Sequence, residues 1–157
     1  MEPIKSYIER AWENLTEGWR ELLARSTGAF THFRAGDAGR EDSREGFPRW
    51  SLLAGETWET ALSVVIRVEI PGVSKDDLAV DILGSVVRIR GEKRSGEEEH
   101  GTLYHLMERA YGHFERHIPL PHGVDAEKAE VSYRDGVLTV ILPKTEPVPP
   151  RQLLVPD

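Results

Sequence analysis

The sequence predicts an all-β domain, a β-sandwich, and three observations carry that prediction. Between about residues 56 and 143, at least six short runs alternate apolar and polar side chains, the period of a half-buried strand. Their connections are short, and no convincing helical pattern interrupts them. Asp135-Gly136 stands between two such runs as a two-residue turn, a strong hairpin signal because both central residues must adopt positive φ.

Residues 4 to 23 come first and are different. Ile4, Ile8, Trp12, Leu15, Trp19, Leu22 and Leu23 recur at spacings of three and four, which predicts an amphipathic helix. Gly18 interrupts it at a cost of about 1 kcal/mol relative to alanine. The apolar stripe needs a surface to cover it, on its own domain, on a second subunit or on another protein. Glu2, Glu9, Glu13, Glu17 and Glu21 leave the polar face without a basic excess, which argues against a membrane surface. From residue 24 to 49, glycines are scattered among Arg, Asp, Glu and Ser, with Phe30, Phe33 and Phe47 as isolated apolar groups. Such a run cannot build its own core, and the expectation is a poorly ordered connector.

Strands follow Trp50. In residues 62 to 70, Val64, Ile66, Val68 and Ile70 share one face, and Pro71-Gly72 ends the run because proline has no N–H to continue the ladder. Leu78, Val80 and Ile82 resume the period, Gly84 turns the chain, and Val87 and Ile89 interleave with Arg88 and Arg90. The stretch EKRSGEEEHG from Glu92 to Gly101 is too charged for a core and is expected as a solvent-exposed loop. Leu103, Tyr104, Leu106 and Met107 beyond it suit a short edge strand or a contact on a partner. Three strands close the domain: Tyr111 to Ile118, Lys128 to Arg134, and Val137 to Leu142. The last is apolar on nearly both faces, so it is expected in the middle of a sheet. In the tail, Pro147, Pro149 and Pro150 keep the backbone extended, and Leu153 and Val155 then point the same way.

The sequence divides into an N-terminal arm over 1–49, a sandwich domain over 50–143 and an extended tail over 144–157. A formal net charge of -7 with no basic stripe excludes a phosphate-tracking surface, so no nucleic-acid partner is expected. Cysteine is absent, which removes disulfide and thiol chemistry. The first residues lack a basic n-region and an apolar h-region, and no segment approaches the roughly 18 apolar residues of a membrane span. A cytoplasmic protein without stable membrane association is the expectation.

Catalytic chemistry finds no support. His113 and His117 share a strand face, but four residues along a strand is roughly 13 Å, beyond a shared zinc ion. His32, His100, His105 and His122 sit in unrelated contexts. The serines lack a nucleophile-elbow setting, and Glu97, Glu98 and Glu99 lie on a presumed exposed loop, where the fixed separations of acid and base work are not available. No enzyme activity, cofactor or metal is expected.

Four stretches resemble one family in register: VEIPGVSKDDL from Val68, VVRIRGEK from Val86, ERAYGHFERHIPLPHGVD from Glu108 and RDGVLTVILPK from Arg134. They are similar to the small heat shock proteins, the Hsp20 or α-crystallin group, of bacterial or plant-like type. The resemblance implies an immunoglobulin-like sandwich (an α-crystallin domain) and ATP-independent holding of unfolding client proteins by dimers assembled into larger homo-oligomers. It implies that residues 102 to 107 (Thr102, Leu103, Tyr104, His105, Leu106, Met107) form a short strand exchanged between subunits and received near Thr57, Trp58 and Glu59. The tail pair Leu153 and Val155 would match an Ile-x-Ile/Val plug docking at Leu78, Val80, Ile82, Val131 and Tyr133. The arm would contact clients through Ile4, Ile8, Trp12, Leu15, Trp19, Leu22, Phe30, Phe33 and Phe47.

The sequence departs from the family pattern with Val131 where alanine is usual, Asp135 for asparagine, leucine first in the tail motif, and Leu52 where a Trp-x-Pro proline is expected. A non-catalytic adaptor, binding one specific protein through the sandwich groove or an edge, is the alternative reading. A discrete complex and a dispensable arm would mark it.

Overall fold

The computed structural model describes residues 28–34, 48–96 and 103–146, together with Glu17 and Arg20. Among these, nine strands form two antiparallel sheets: β1 Phe30–Arg34, β2 Trp50–Leu52, β3 Gly55–Glu59, β4 Ser63–Glu69, β5 Leu78–Leu83, β6 Val86–Lys93, β7 Gly112–Pro119, β8 Glu130–Arg134 and β9 Val137–Pro143. One sheet runs β2-β1-β7-β6-β5 and the other β3-β4-β9-β8. The prediction of a sandwich agrees with this architecture.

The core follows from alternation. β4 pairs with β9 over its whole length, setting Val64 beside Leu142, Ile66 beside Val140 and Val68 beside Leu138. All six are at most 2% exposed. Val87 and Ile89 of β6 and Phe114 and Ile118 of β7 join them in a single buried cluster. As its two-sided apolar pattern predicts, β9 is interior, flanked by β4 and β8. Asp135 (φ 51°) and Gly136 (φ 77°) form the expected tight turn between β8 and β9. Tyr133 secures a second turn: its hydroxyl donates toward the carbonyls of Ile70 (2.7 Å) and Val73 (3.0 Å), tying the Pro71-Gly72 corner to β8.

Three expectations are corrected. The stretch from 24 to 49 holds a strand, β1, which joins β2 to β7 in the five-stranded sheet. Its burial alternates, with Thr31 and Phe33 inward, although its two phenylalanines fall on opposite faces, and the ladder of β7 gives its backbone partners that the local composition does not reveal. The sandwich therefore begins before residue 50. It also extends past 143, because Lys144 forms a β-bridge with Val124 and the Thr145 amide donates to the Gly123 carbonyl. Finally, β6 runs through Gly91 to Lys93, so the charged stretch begins as a strand paired with β7 and not as a loop.

Phe33 is corrected with β1. It is 1% exposed and packs its ring 5.1 Å from that of Phe114, so it is part of the core and not an adhesive group on the arm. Phe30, one face over, is partly exposed and stacks on Trp50 at 5.2 Å. Ile4, Ile8, Trp12, Leu15, Trp19, Leu22, Phe47, Thr102, Leu153 and Val155 lie outside the described residues.

Candidate binding surfaces

Each sheet has two edges, and the candidate sites lie there. β5 ends the five-stranded sheet and β8 ends the four-stranded one. Between them opens a groove of about 420 Å³, lined by Lys75, Leu78, Val80, Val131, Ser132, Tyr133, Arg134 and Leu138. Val131 and Tyr133 have the inward parity of Val140 and Leu138, their partners on β9, but among the described residues β8 has no further strand beside it. Val131 is consequently 53% exposed. Leu78 and Val80 form the facing wall and pack partly against the core. Thus four of the five residues expected in a tail-receiving groove line one cavity. Ile82 also packs against the core but is not among the groove-lining residues. Burial raises the Tyr133 phenol above its ordinary pKa, while its bond to Val73 pulls the other way.

The second surface is β3. Every residue from Gly55 to Glu59 is exposed, and among the described residues β3 pairs with β4 alone. Its other edge presents unpaired backbone donors and acceptors, a template for an added strand. Trp58 is held in place from β4: the Arg67 guanidinium lies 5.0 Å from its ring centroid, and Arg67 Nη1 contacts Glu56 Oε1 at 3.1 Å. At the end of the strand, Glu59 Oε2 meets Lys144 Nζ at 2.9 Å and His122 Nε2 at 3.0 Å. The hydrogen bond from Lys144 is the main cause of a Glu59 pKa below its ordinary value.

Residues 103–107, expected to supply a strand, form none in the single chain. Leu103 is 76% and Leu106 73% exposed. His105 is exposed, Tyr104 partly so, and Met107 half-buried.

A larger cavity, about 480 Å³, lies over one end of the five-stranded sheet, where Arg34, Arg90, Asp76, Asp77, Glu92 and Glu115 mix both signs of charge. Nearby, Arg88 and Arg90 both bind Asp81, at 3.0 and 2.9 Å, and lower its pKa, Arg88 most strongly. No group of three or more His, Asp or Glu among the described residues can hold a metal ion. Sequence reasoning missed the partners of Trp58 and Glu59. Arg67 and Lys144 carry no local signal for these contacts, which depend on strand pairing.

The antiparallel sandwich thus offers a groove at one pair of edges and an exposed edge strand at another. The Hsp20/alpha crystallin family model matches residues 56–155, and the chain belongs to that family. It is similar to spore protein SP21 of Stigmatella aurantiaca, 32% identical over 113 residues that cover 72% of this chain and 66% of the relative. It is also similar to the 22.0 kDa heat shock protein of Arabidopsis thaliana, 39% identical over 57% of this chain and 46% of that protein. The chain spans between 44% and 66% of the length of the first four such relatives. Among solved structures, heat shock protein 16.0 of Schizosaccharomyces pombe aligns at a TM-score of 0.59 and 30% identity, covering 67% of this chain and 97% of that one. A small heat-shock protein of Xylella fastidiosa aligns at 0.54 and 26%, covering 68% and 98%. No helix among the described residues is long and apolar enough to cross a membrane.

Proposed function

We propose that this protein is an ATP-independent holdase, binding partly unfolded proteins and limiting their aggregation under heat or other stress. The observation that carries the reading is the pairing of an open groove at Val131 and Tyr133 with an exposed edge strand at β3, in a member of a family whose named relatives include heat shock proteins. Holding needs no catalytic group. It needs apolar surface that sister chains cover at rest and release when contacts loosen, at roughly 25 cal/mol per Å² of buried apolar area.

In this reading the chain assembles with itself in two ways. The segment 102–107 of one subunit adds to the β3 edge of another, forming dimers. The Leu153 and Val155 pair docks in the β5/β8 groove of a further copy and builds larger homo-oligomers. The arm residues Ile4, Ile8, Trp12, Leu15, Trp19, Leu22 and Phe47, with the partly exposed Phe30, contact clients. Warming frees arms and tails, and the net charge of -7 keeps loaded complexes dispersed. The test is light scattering from a thermally unfolding client: substoichiometric amounts of this protein, without ATP, are expected to suppress it. Scattering that rises as fast as in the client alone would refute the reading.

A further inference from the structure

Strand addition at β3 leaves one question that the pleat makes binary: which side chains of the incoming segment fall on the outer face of the sheet. Shifting a strand by one residue moves all its side chains to the opposite face. On β3 the two faces differ in chemistry. Register places Trp58 opposite Val65, and Val65 opposite Ile141, so an apolar row crosses three adjacent strands on the outer face. Trp58, at the free end of that row, is 38% exposed and already fixed by Arg67. Glu56 shares that outer face, while the inner face of β3 presents Thr57 and Glu59 opposite the core residues Ile66 and Val64.

The segment from Leu103 to Met107 is equally two-sided. Tyr104 and Leu106 share one face of an extended backbone; Leu103, His105 and Met107 share the other. Setting Leu106 beside Trp58 extends the apolar row by one strand and turns the central His105 to the inner face, beside Thr57 or Glu59. A one-residue slip instead turns Leu103, His105 and Met107 outward, so that the centre of the added strand's outer face is an imidazole in place of the Tyr104 and Leu106 pair.

We infer that Trp58 is the anchor that fixes the register face of the exchanged strand, receiving Leu106 of a second copy on the outer surface of the four-stranded sheet. This rests on the strand exchange proposed above and adds its specificity-determining residue. An aromatic ring held by its neighbours and covered by the partner is the kind of contact that dominates an interface. Trp50, 50% exposed, stands on the other sheet, away from this edge, and serves as the control.

The 157-residue chain contains no cysteine, so thiols can be introduced one at a time. Chains carrying Glu56→Cys, on the face of Trp58, are mixed with chains carrying either Leu106→Cys or His105→Cys. They are treated with a short bifunctional thiol reagent and read by mass. Links between chains are expected mainly from the Leu106 thiol. Trp58→Ala is expected to raise the dimer dissociation constant about ten-fold, whereas Trp50→Ala leaves it within about two-fold, with circular dichroism verifying the fold of each. Preferential linking from the His105 thiol, or an unchanged constant for Trp58→Ala, overturns the inference while leaving strand exchange intact. Links formed only within one chain, or none from either thiol, overturn strand exchange at β3 as well.

Discussion

Lys144 Nζ lies 2.9 Å from Glu59 Oε2, joining the residue where the tail begins to the last residue of the free edge strand. The lysine side chain is only 2% exposed, and its ammonium also donates to the Thr60 carbonyl at 2.7 Å. Its removal should be felt locally. Lys144→Met is expected to destabilise the domain by about 1–3 kcal/mol, the range for losing hydrogen bonds to a charged group. Hydrogen exchange should quicken first at the Thr60 amide, which closes the β3–β4 turn onto the Ser63 carbonyl. A chemical-denaturation midpoint equal to that of the parent would refute this.

Acid should weaken the fold through carboxylates whose partners favour the charged form. Glu59 is held below its ordinary 4.5, mainly by Lys144, and Asp81 below 3.8, mainly by Arg88. Asp125 is likewise held below 3.8, mainly by Lys128. Because each pKa is depressed in the folded state, the unfolded chain takes up protons first as pH falls. The stabilisation is fully present above the ordinary values and is lost as pH drops through the folded ones. Denaturation midpoints measured from pH 7 down to 3 should stay level and then fall. The fall should be shallower in Glu59→Gln and in Asp81→Asn.

Gly91 has no room for a side chain. A Cβ there would sit 2.6 Å from Phe114 Cζ and 2.9 Å from Leu78 Cδ2. Gly91→Ala is expected to cost about 1–3 kcal/mol by overpacking. Displacement of Leu78 should also deform the groove wall. Gly84 is the control: its φ is 59°, and nothing lies within 4 Å of a Cβ, so Gly84→Asn, which tolerates that conformation, should leave the melting temperature nearly unchanged.

Two changes in the groove separate docking from folding. Val131 is half exposed, so Val131→Glu should barely alter stability yet place a carboxylate where an apolar plug would sit. Tyr133→Phe should do the reverse. It removes the hydroxyl that ties down the Ile70 and Val73 carbonyls, at about 1 kcal/mol, and keeps the ring. Size-exclusion mass should fall for Val131→Glu, as for Leu153→Ala with Val155→Ala, and hold for Tyr133→Phe. Unchanged mass in the first two would show that the tail does not maintain the assembly.

Local periodicity made most strands readable. The side chains of β4, at Val64, Ile66 and Val68, are buried as their alternation predicts, and Asp135-Gly136 turns as its composition predicts. β1 was hidden because FTHFR lies in a glycine-rich, charged run and shows no period of two: Phe30 and Phe33 fall on opposite faces, and the inward partner of Phe33 is the polar Thr31. The groove was legible as to residues through the family resemblance. Its openness was not, since Val131 and Tyr133 have the same inward parity they would have in a central strand.

The sequence by itself determined, for every strand with a regular alternation, which residues extend, which face each side chain takes and where the chain turns, because a period of two and the φ demands of glycine, aspartate and proline act over a few residues. The tertiary structure alone decided which strands stand at the edges and which distant charges meet. Val131 is exposed, Phe33 is buried and Lys144 reaches Glu59 only because long-range pairing places β8 last in its sheet, β1 beside β7, and the ends of β9 and β3 on either side of the start of β4.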